Sequence, residues 1–204
     1  MALNTTHVER DALGGGKVRD TIHMKPIASY KNGSLRRDPM TLSATGSADW
    51  PIACDGICDV RIDPRIAGKS PLLHMGHGSN FVRFALVGAN NVSGVVKGNT
   101  TTFTNAWNNA DLRYTYGGHR LQEDILLRAK HPRSFGFILR EHTGFDPLTM
   151  TVGDIRILDP VLEPPAGSDA LAVPLRWIVT QQGGYWVLTV TLPAGDWAGW
   201  RISG

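Results

Sequence analysis

Three carboxylates crowd the stretch ADLRYTYGGHRLQEDILLR at residues 110–128: Asp111, Glu123 and Asp124. Two carboxyl groups a few ångströms apart in a cleft can do general acid and base work, provided burial raises the pKa of one of them. Other reactive types lie upstream. Cys54 and Cys58 in ACDGICDV could form a disulfide or stay as reduced thiols, and with His74 and His77 in LLHMGHG they make a four-ligand zinc set on paper. Asp55, Asp59 and Asp63 suggest a calcium loop but lack the sharp-turn Gly and closing Glu of an EF-hand. GGGKVRD at residues 14–20 lacks the outer spacing of a P-loop and a preceding strand, and there is no G-x-S-x-G, H-E-x-x-H or dinucleotide fingerprint. His7, His23, His119, His131 and His142 share no ligand spacing. These residue types therefore lead to an expectation of no enzyme activity, no cofactor and no metal.

The elements that must position the acids decide between chemistry and structure. In ADLRYTY the apolar residues Leu112, Tyr114 and Tyr116 alternate with Asp111, Arg113 and Thr115, the period of a half-buried strand. Gly117-Gly118 supplies the positive φ angles of a two-residue hairpin turn, and HRLQEDILL resumes with Leu121, Ile125 and Leu127 on one face. Counting outward from that turn pairs Tyr114 with Leu121, Arg113 with Gln122 and Asp111 with Asp124, and places Glu123 on the apolar face opposite Leu112. A carboxylate there calls for an arginine partner, a bulge or a place at the sheet rim. A Glu123 buried alone against an open pocket would instead favour catalysis.

The remaining chain reads as β structure. Val60 and Ile62 alternate with charged neighbours; NFVRFALVG sets Val82, Phe84 and Leu86 against Phe81, Arg83, Ala85 and Val87; Gly98-Asn99 marks a turn before a threonine-rich strand. RSFGFILRE puts Phe135, Phe137 and Leu139 on one face, and LTMTVGDIRIL does the same with Leu148, Met150 and Val152 before Ile155 and Ile157. DPVLEPPAGSDALAVP breaks any regular element. Leu175, Trp177 and Val179 then alternate up to a QQGG turn, with Trp186, Leu188 and Val190 on the partner run. About ten short strands spaced by roughly 8 to 15 residues, with no amphipathic helix, predict an all-β fold: a β-sandwich or jelly-roll of antiparallel strands over 46–204. Residues 1–45, with a triple glycine and little periodicity, read as an extended N-terminal arm or irregular segment. Trp177, Trp186 and Trp197 are expected to anchor the packing between sheets.

The 204 residues allow one domain of that size, and 23 Gly and 12 Pro suit many turns. A net charge of +3 with scattered Lys and Arg is poor ground for nucleic-acid binding. The N-terminus lacks the basic-then-apolar layout of a signal peptide, and no stretch has the ~18 apolar residues of a membrane span, so the expectation is a cytoplasmically made protein with no membrane partner.

NADLRYTYGGHRLQEDILLR, PRSFGFILREHTGFDP and VPLRWIVTQQGGYWVLTVTLPAGDW together resemble a β-rich segment of structural proteins of tailed bacteriophages, over about residues 48–200. The resemblance implies a virion component, such as a capsid decoration or cement protein, a fibre base or a tail part. It implies a major capsid or other virion protein as partner, a homo-oligomeric state and residence in the virion, and it brings no catalytic residues. Residues placed to make such contacts are Arg19, Tyr30, Arg36 and Arg37 on the arm, with Trp197 and Trp200 near the other end. The alternative is a carbohydrate-binding β-sandwich module with Trp107, Tyr114, Tyr116, Trp197 and Trp200 as sugar platform.

Overall fold

The structure is a computed structural model that describes residues 59–204 except 69, 118 and 119, and of residues 1–58 only the backbone of the strands. The backbone of β1 (Leu3–Ala12), β2 (Val18–Lys31) and β3 (Ser34–Arg37) pairs into a three-stranded antiparallel sheet. The expected arm as a whole, the side chains of Arg19, Tyr30, Arg36 and Arg37, and the Cys54/Cys58 pair lie outside the described residues.

From there the chain builds two larger sheets by meandering. β4 (Ser43–Ala44), β5 (Ile52–Asp55), β6 (Asp59–Ile62), β7 (Leu73–His77) and β8 (Asn80–Val87) follow one another in the first. β9 (Gly94–Lys97), β10 (Thr100–Trp107), β11 (Ala110–Tyr116) and β12 (Leu121–Leu127) do so in the second. β13 (Ser134–His142) returns beside β8, and a small sheet of β14 (Phe145–Asp146), β15 (Thr151–Val152) and β16 (Ile155–Arg156) follows. β17 (Val161–Glu163) and β18 (Val173–Pro174) extend the second sheet; the hairpin of β19 (Ile178–Gln182) and β20 (Tyr185–Thr191) joins β13; and β21 (Arg201–Ser203) inserts between β12 and β17. The result is an eight-stranded and a seven-stranded antiparallel sheet in a sandwich-like arrangement, the all-β fold that the alternation predicts. Among the described residues there is no helix, and so none long and apolar enough to cross a membrane.

The core follows from the period of two. Val60 and Ile62, Val82 and Leu86, and Phe135, Phe137 and Leu139 are all buried from the first sheet, and Phe103, Leu112, Tyr114, Tyr116, Ile125 and Leu127 from the second. Among the described tryptophans Trp107 is the most deeply involved: it lies edge-on to Phe135 and Phe137 at 5.1 and 6.0 Å and donates its indole N–H to the Val87 carbonyl at 2.9 Å. Burying such a ring contributes on the order of 2–3 kcal/mol, and the hydrogen bond removes the cost of its polar atom. Trp177 adds an edge contact to Phe137 at 5.6 Å, and Trp186 one to Phe145 at 5.7 Å.

Two expectations need correction here. Leu148 and Met150 do not share a strand face with Val152: strand begins only at Thr151, Leu148 is 93 % exposed, and Met150 has φ 55, a turn conformation that re-aims the chain. The proline-rich connection is also less irregular than its composition suggests, since Val161–Glu163 pairs with β21 and Val173–Pro174 pairs with β17 at the edge where proline is tolerated.

Close packing makes one glycine testable. A Cβ on Gly94 would stand 2.7 Å from the ring of the fully buried Phe103. Gly94→Ala is expected to cost about 1–3 kcal/mol of unfolding free energy in urea titrations, as overpacking does; an unchanged midpoint would show that the Phe103 ring can move aside.

Candidate functional site

The three acids of residues 110–128 part company because of the turn between β11 and β12. The turn takes in residues 117–120, closed by a Gly117 N–H to Arg120 carbonyl bond at 2.9 Å, instead of Gly117-Gly118 alone. Register therefore moves by two positions: Tyr116 faces Leu121, Tyr114 faces Glu123 and Arg113 faces Asp124. A shift of two preserves the face on which each side chain sits, so the inward placement of Glu123 stands while every cross-strand partner changes. The like-charged Asp111/Asp124 pair does not form; Asp111 lies opposite Leu126.

Each acid then has its own environment. Asp111 accepts from the Asn105 backbone N–H at 2.8 Å and pairs with Arg128 at 3.0 Å, holding the irregularity in β10 where Asn105 has φ 57. Asp124 is only 1 % exposed and is held by Arg113 at 2.6 Å and by the Gln122 amide at 3.0 Å. Glu123 has neither the arginine nor the bulge expected of it: Arg113 projects to the opposite face and goes to Asp124, and the β11–β12 ladder runs without interruption. Its backbone exchanges both hydrogen bonds with Gly204, at 2.9 and 3.0 Å, which fixes the side chain toward the interior.

That interior is hollow. A cavity of about 640 Å³ lies between the sheets, with Glu123 and Tyr114 on one wall and Met75, Phe84, Phe137 and Leu188 among the apolar side chains facing them. Trp177 and Ile155 also line it. The segment carrying Ile155 is positioned by the β15–β16 turn, where Gly153 has φ 60 and packs so closely under Asn80 that a Cβ would meet its side chain at 2.2 Å. Asn80 in turn donates to Asp154 at 3.0 Å, and Asp154 also pairs with His77. Those bonds hold the Asp154 carboxyl below the usual carboxylate range, His77 being the largest cause.

The electrostatics single out one residue. Burial pushes the Glu123 carboxyl up to about 7; the Tyr114 hydroxyl opposes that rise and the Asp124 charge adds to it. Tyr114 is itself fully buried, and its hydroxyl has no hydrogen-bond partner of good geometry, the Glu123 carboxyl being the group close enough to act on it. Burial and that carboxyl push the phenol well above its ordinary value.

The other candidate residues are not brought together. His74 and His77 point to opposite faces of β7: His77 lines the cavity, whereas His74 is buried on the far side, 3.5 Å from Asp59. Burial lowers the His74 pKa despite Asp59. Asp59 is taken up by Arg61 at 2.6 Å, and Asp63 caps the backbone N–H of Arg65 at 2.8 Å. Among the described residues no group of three or more His, Cys, Asp and Glu side chains is placed to hold a metal ion. Of the expected sugar platform, Trp107 is 3 % exposed and Tyr114 and Tyr116 are 0 %, so these three serve the core and present no exposed ring. Trp197 and Trp200 are half-buried, packed edge to face at 4.9 Å against one another, with the Trp197 indole donating to the Pro193 carbonyl at 3.0 Å. The cavity and its orphan hydroxyl carried no sequence signal except the misplaced polarity of Glu123.

A pH dependence follows. The folded-state pKa of Glu123, about 7, stands above the ordinary value of 4.5, so its contribution to stability is full below about pH 4.5 and is lost as pH rises through 7. Glu123→Gln cannot ionise, and its stability relative to the parent is expected to rise by up to about 3 kcal/mol between pH 4.5 and pH 8 in urea titrations. A constant difference between the two proteins over that range would mean that the carboxyl is already well solvated.

Comparison with known proteins finds no matching family model, no matching curated protein and no matching solved structure.

Proposed function

We propose that this protein is a non-enzymatic structural component of a virion, a capsid decoration or cement protein that assembles as a homo-oligomer through its sheet edges and binds a viral shell. The observation that carries the reading is the outer edge of the seven-stranded sheet. β9 ends that sheet, no further strand pairs with it among the described residues beyond a Gly94 N–H to Pro64 carbonyl bond of 2.7 Å at its start, and Val95 and Val96 are 70 % and 39 % exposed. Natural sheets guard such edges with charge, proline or cover, because bare N–H and C=O groups flanked by β-branched side chains invite another strand. β9 has a single charged residue, Lys97, at its end. The eight-stranded sheet ends similarly in β19, where Ile178 is 55 % exposed. The resemblance of residues 48–200 to tailed-phage structural proteins supports the virion setting, and the Arg36 and Arg37 pair is suited to acidic shell surfaces.

Glu123 facing an open cavity without an arginine is the arrangement that would favour catalysis. The non-enzymatic part rests on how its neighbours are committed, Asp159 alone being exposed on the same lining without such a tie among the described residues. Asp124 is tied to Arg113 on the opposite face from Glu123, Glu163 accepts from Arg201 at 2.6 Å, and Asp154 is held by His77 and Asn80. A two-carboxylate mechanism needs one of these ready to serve as a second acid or base. The carbohydrate-binding reading has lost three of its five aromatic rings to the core.

Val95→Lys places a charge on the edge without touching the core. Sedimentation or native mass measurements on the full chain should show an oligomer for the parent and at least a tenfold weaker association for the variant, with the same thermal midpoint. A parent that stays monomeric at high concentration and sediments free of shells would sink the proposal.

A further inference from the structure

We propose that the cavity between the two sheets is a binding site for a small organic amine, its ammonium seated between the Glu123 carboxylate and the Tyr114 hydroxyl and its aliphatic or aromatic body lying among Phe84, Phe137, Trp177 and Leu188. The inference is independent of the assembly reading, since it concerns the interior and not the edges.

Size and lining come first. About 640 Å³ falls within the ~300–1,000 Å³ of ordinary small-molecule sites, and apolar walls with a few convergent polar groups are how such sites are built. The Tyr114 hydroxyl is the second, independent observation. It is a 0 % exposed polar group on a cavity wall whose near neighbour is Glu123 and which makes no hydrogen bond of good geometry, where native proteins almost always satisfy such groups. A ligand N–H donating to its oxygen, while the phenol O–H turns to the carboxylate, satisfies both.

Charge then selects the ligand class. Among the described residues no cation pairs with Glu123, whereas the cations near it are engaged: Arg120 donates to Gln122 at 2.7 Å, Arg201 is on Glu163, and His77 is on Asp154. Arg156 is exposed and shares the cavity lining with Asp154 and Asp159. Of the carboxylates that line the cavity (Glu123, Asp154, Asp159 and Glu163), Glu163 is matched by Arg201 and Asp154 by His77, whereas Glu123 has no cation on it among the described residues. An anionic headgroup meets repulsion on Glu123. A neutral one leaves the buried carboxylate charge unmatched. An ammonium supplies the missing countercharge and is also attracted to the aromatic rings lining the site. Because it binds the ionised form, it draws the proton off Glu123, and affinity should strengthen as pH rises through 7.

The experiment uses one body with three headgroups: 4-phenylbutylamine, 4-phenylbutanol and 4-phenylbutyrate, titrated calorimetrically into the full chain at pH 5.5 and pH 8. At pH 8 the amine should bind at least tenfold more tightly than the alcohol, with the carboxylate weakest, and the preference should shrink several-fold at pH 5.5. Glu123→Gln should abolish the preference of amine over alcohol and its pH dependence while still binding the alcohol; a pH dependence that survives in that variant overturns the assignment. Tyr114→Phe should weaken the amine several-fold. Should Glu123→Gln fail to fold, NMR titration of the parent's Glu123 side-chain carboxyl decides the matter, since amine saturation must lower its pKa by at least one unit. Equal binding of all three compounds, or no binding of any at millimolar concentration, overturns the proposal.

Discussion

Side chains on a β-strand alternate between faces, and the pairing of β11 with β12 turns that rule into the chemistry of this molecule. Tyr114 and Glu123 are directly opposed and share the inner face, while Arg113 and Asp124, one residue away on each strand, are opposed on the outer face. One ladder thus carries a guanidinium–carboxylate pair on one side and a phenol–carboxyl pair on the other. No small slide exchanges them, because moving by one residue would turn every apolar side chain of both strands toward water. Leu112, Ile125 and Leu127, all at most 2 % exposed, lock the register.

The difference between the two acidic neighbours is one of compensation. Asp124 is the more buried by surface, at 1 %, yet its charge is matched by two hydrogen bonds from Arg113 and one from Gln122. Glu123 retains contact with the cavity, but the surrounding protein provides a neutral hydroxyl and a neighbouring negative charge in place of a cation. Burial without a countercharge favours the protonated acid, whereas burial with one favours the ion. Two adjacent residues of similar chemistry therefore meet opposite surroundings, one with a guanidinium against it and one without, because of the faces they occupy.

The cavity is compatible with a well-packed sandwich because Phe137 borders both regions. Trp107 with Phe135 and Phe137 closes the two sheets on one another at one level, and Phe137 also forms part of the cavity wall. Toward the β7–β8, β11–β12 and β15–β16 turns, the space between sheets is bounded instead by the segment at residues 154–163. That segment is held by polar contacts, with Asp154 on Asn80 and His77 and Glu163 on Arg201, and by the buried side chains of Ile155 and Leu162.

Much of the fold was legible because strand alternation and turn chemistry are local. Val60 and Ile62, the 135-137-139 face and the Gly183-Gly184 turn with its Gln182–Tyr185 closure are where the residue pattern puts them. So was the inward face of Glu123, since parity depends only on position along the strand. What only the tertiary structure decided was what that face meets. The longer turn between Tyr116 and Leu121 reassigned Arg113 to Asp124, and strands from distant parts of the chain, β7, β8, β13 and β20, left a hollow opposite Glu123. Distance along a chain says little about which walls fail to touch across two sheets. Whether a carboxyl is a rim charge, an ion pair or a neutral acid depends on those non-local neighbours, because desolvation and countercharge are properties of the space around a group and not of its sequence.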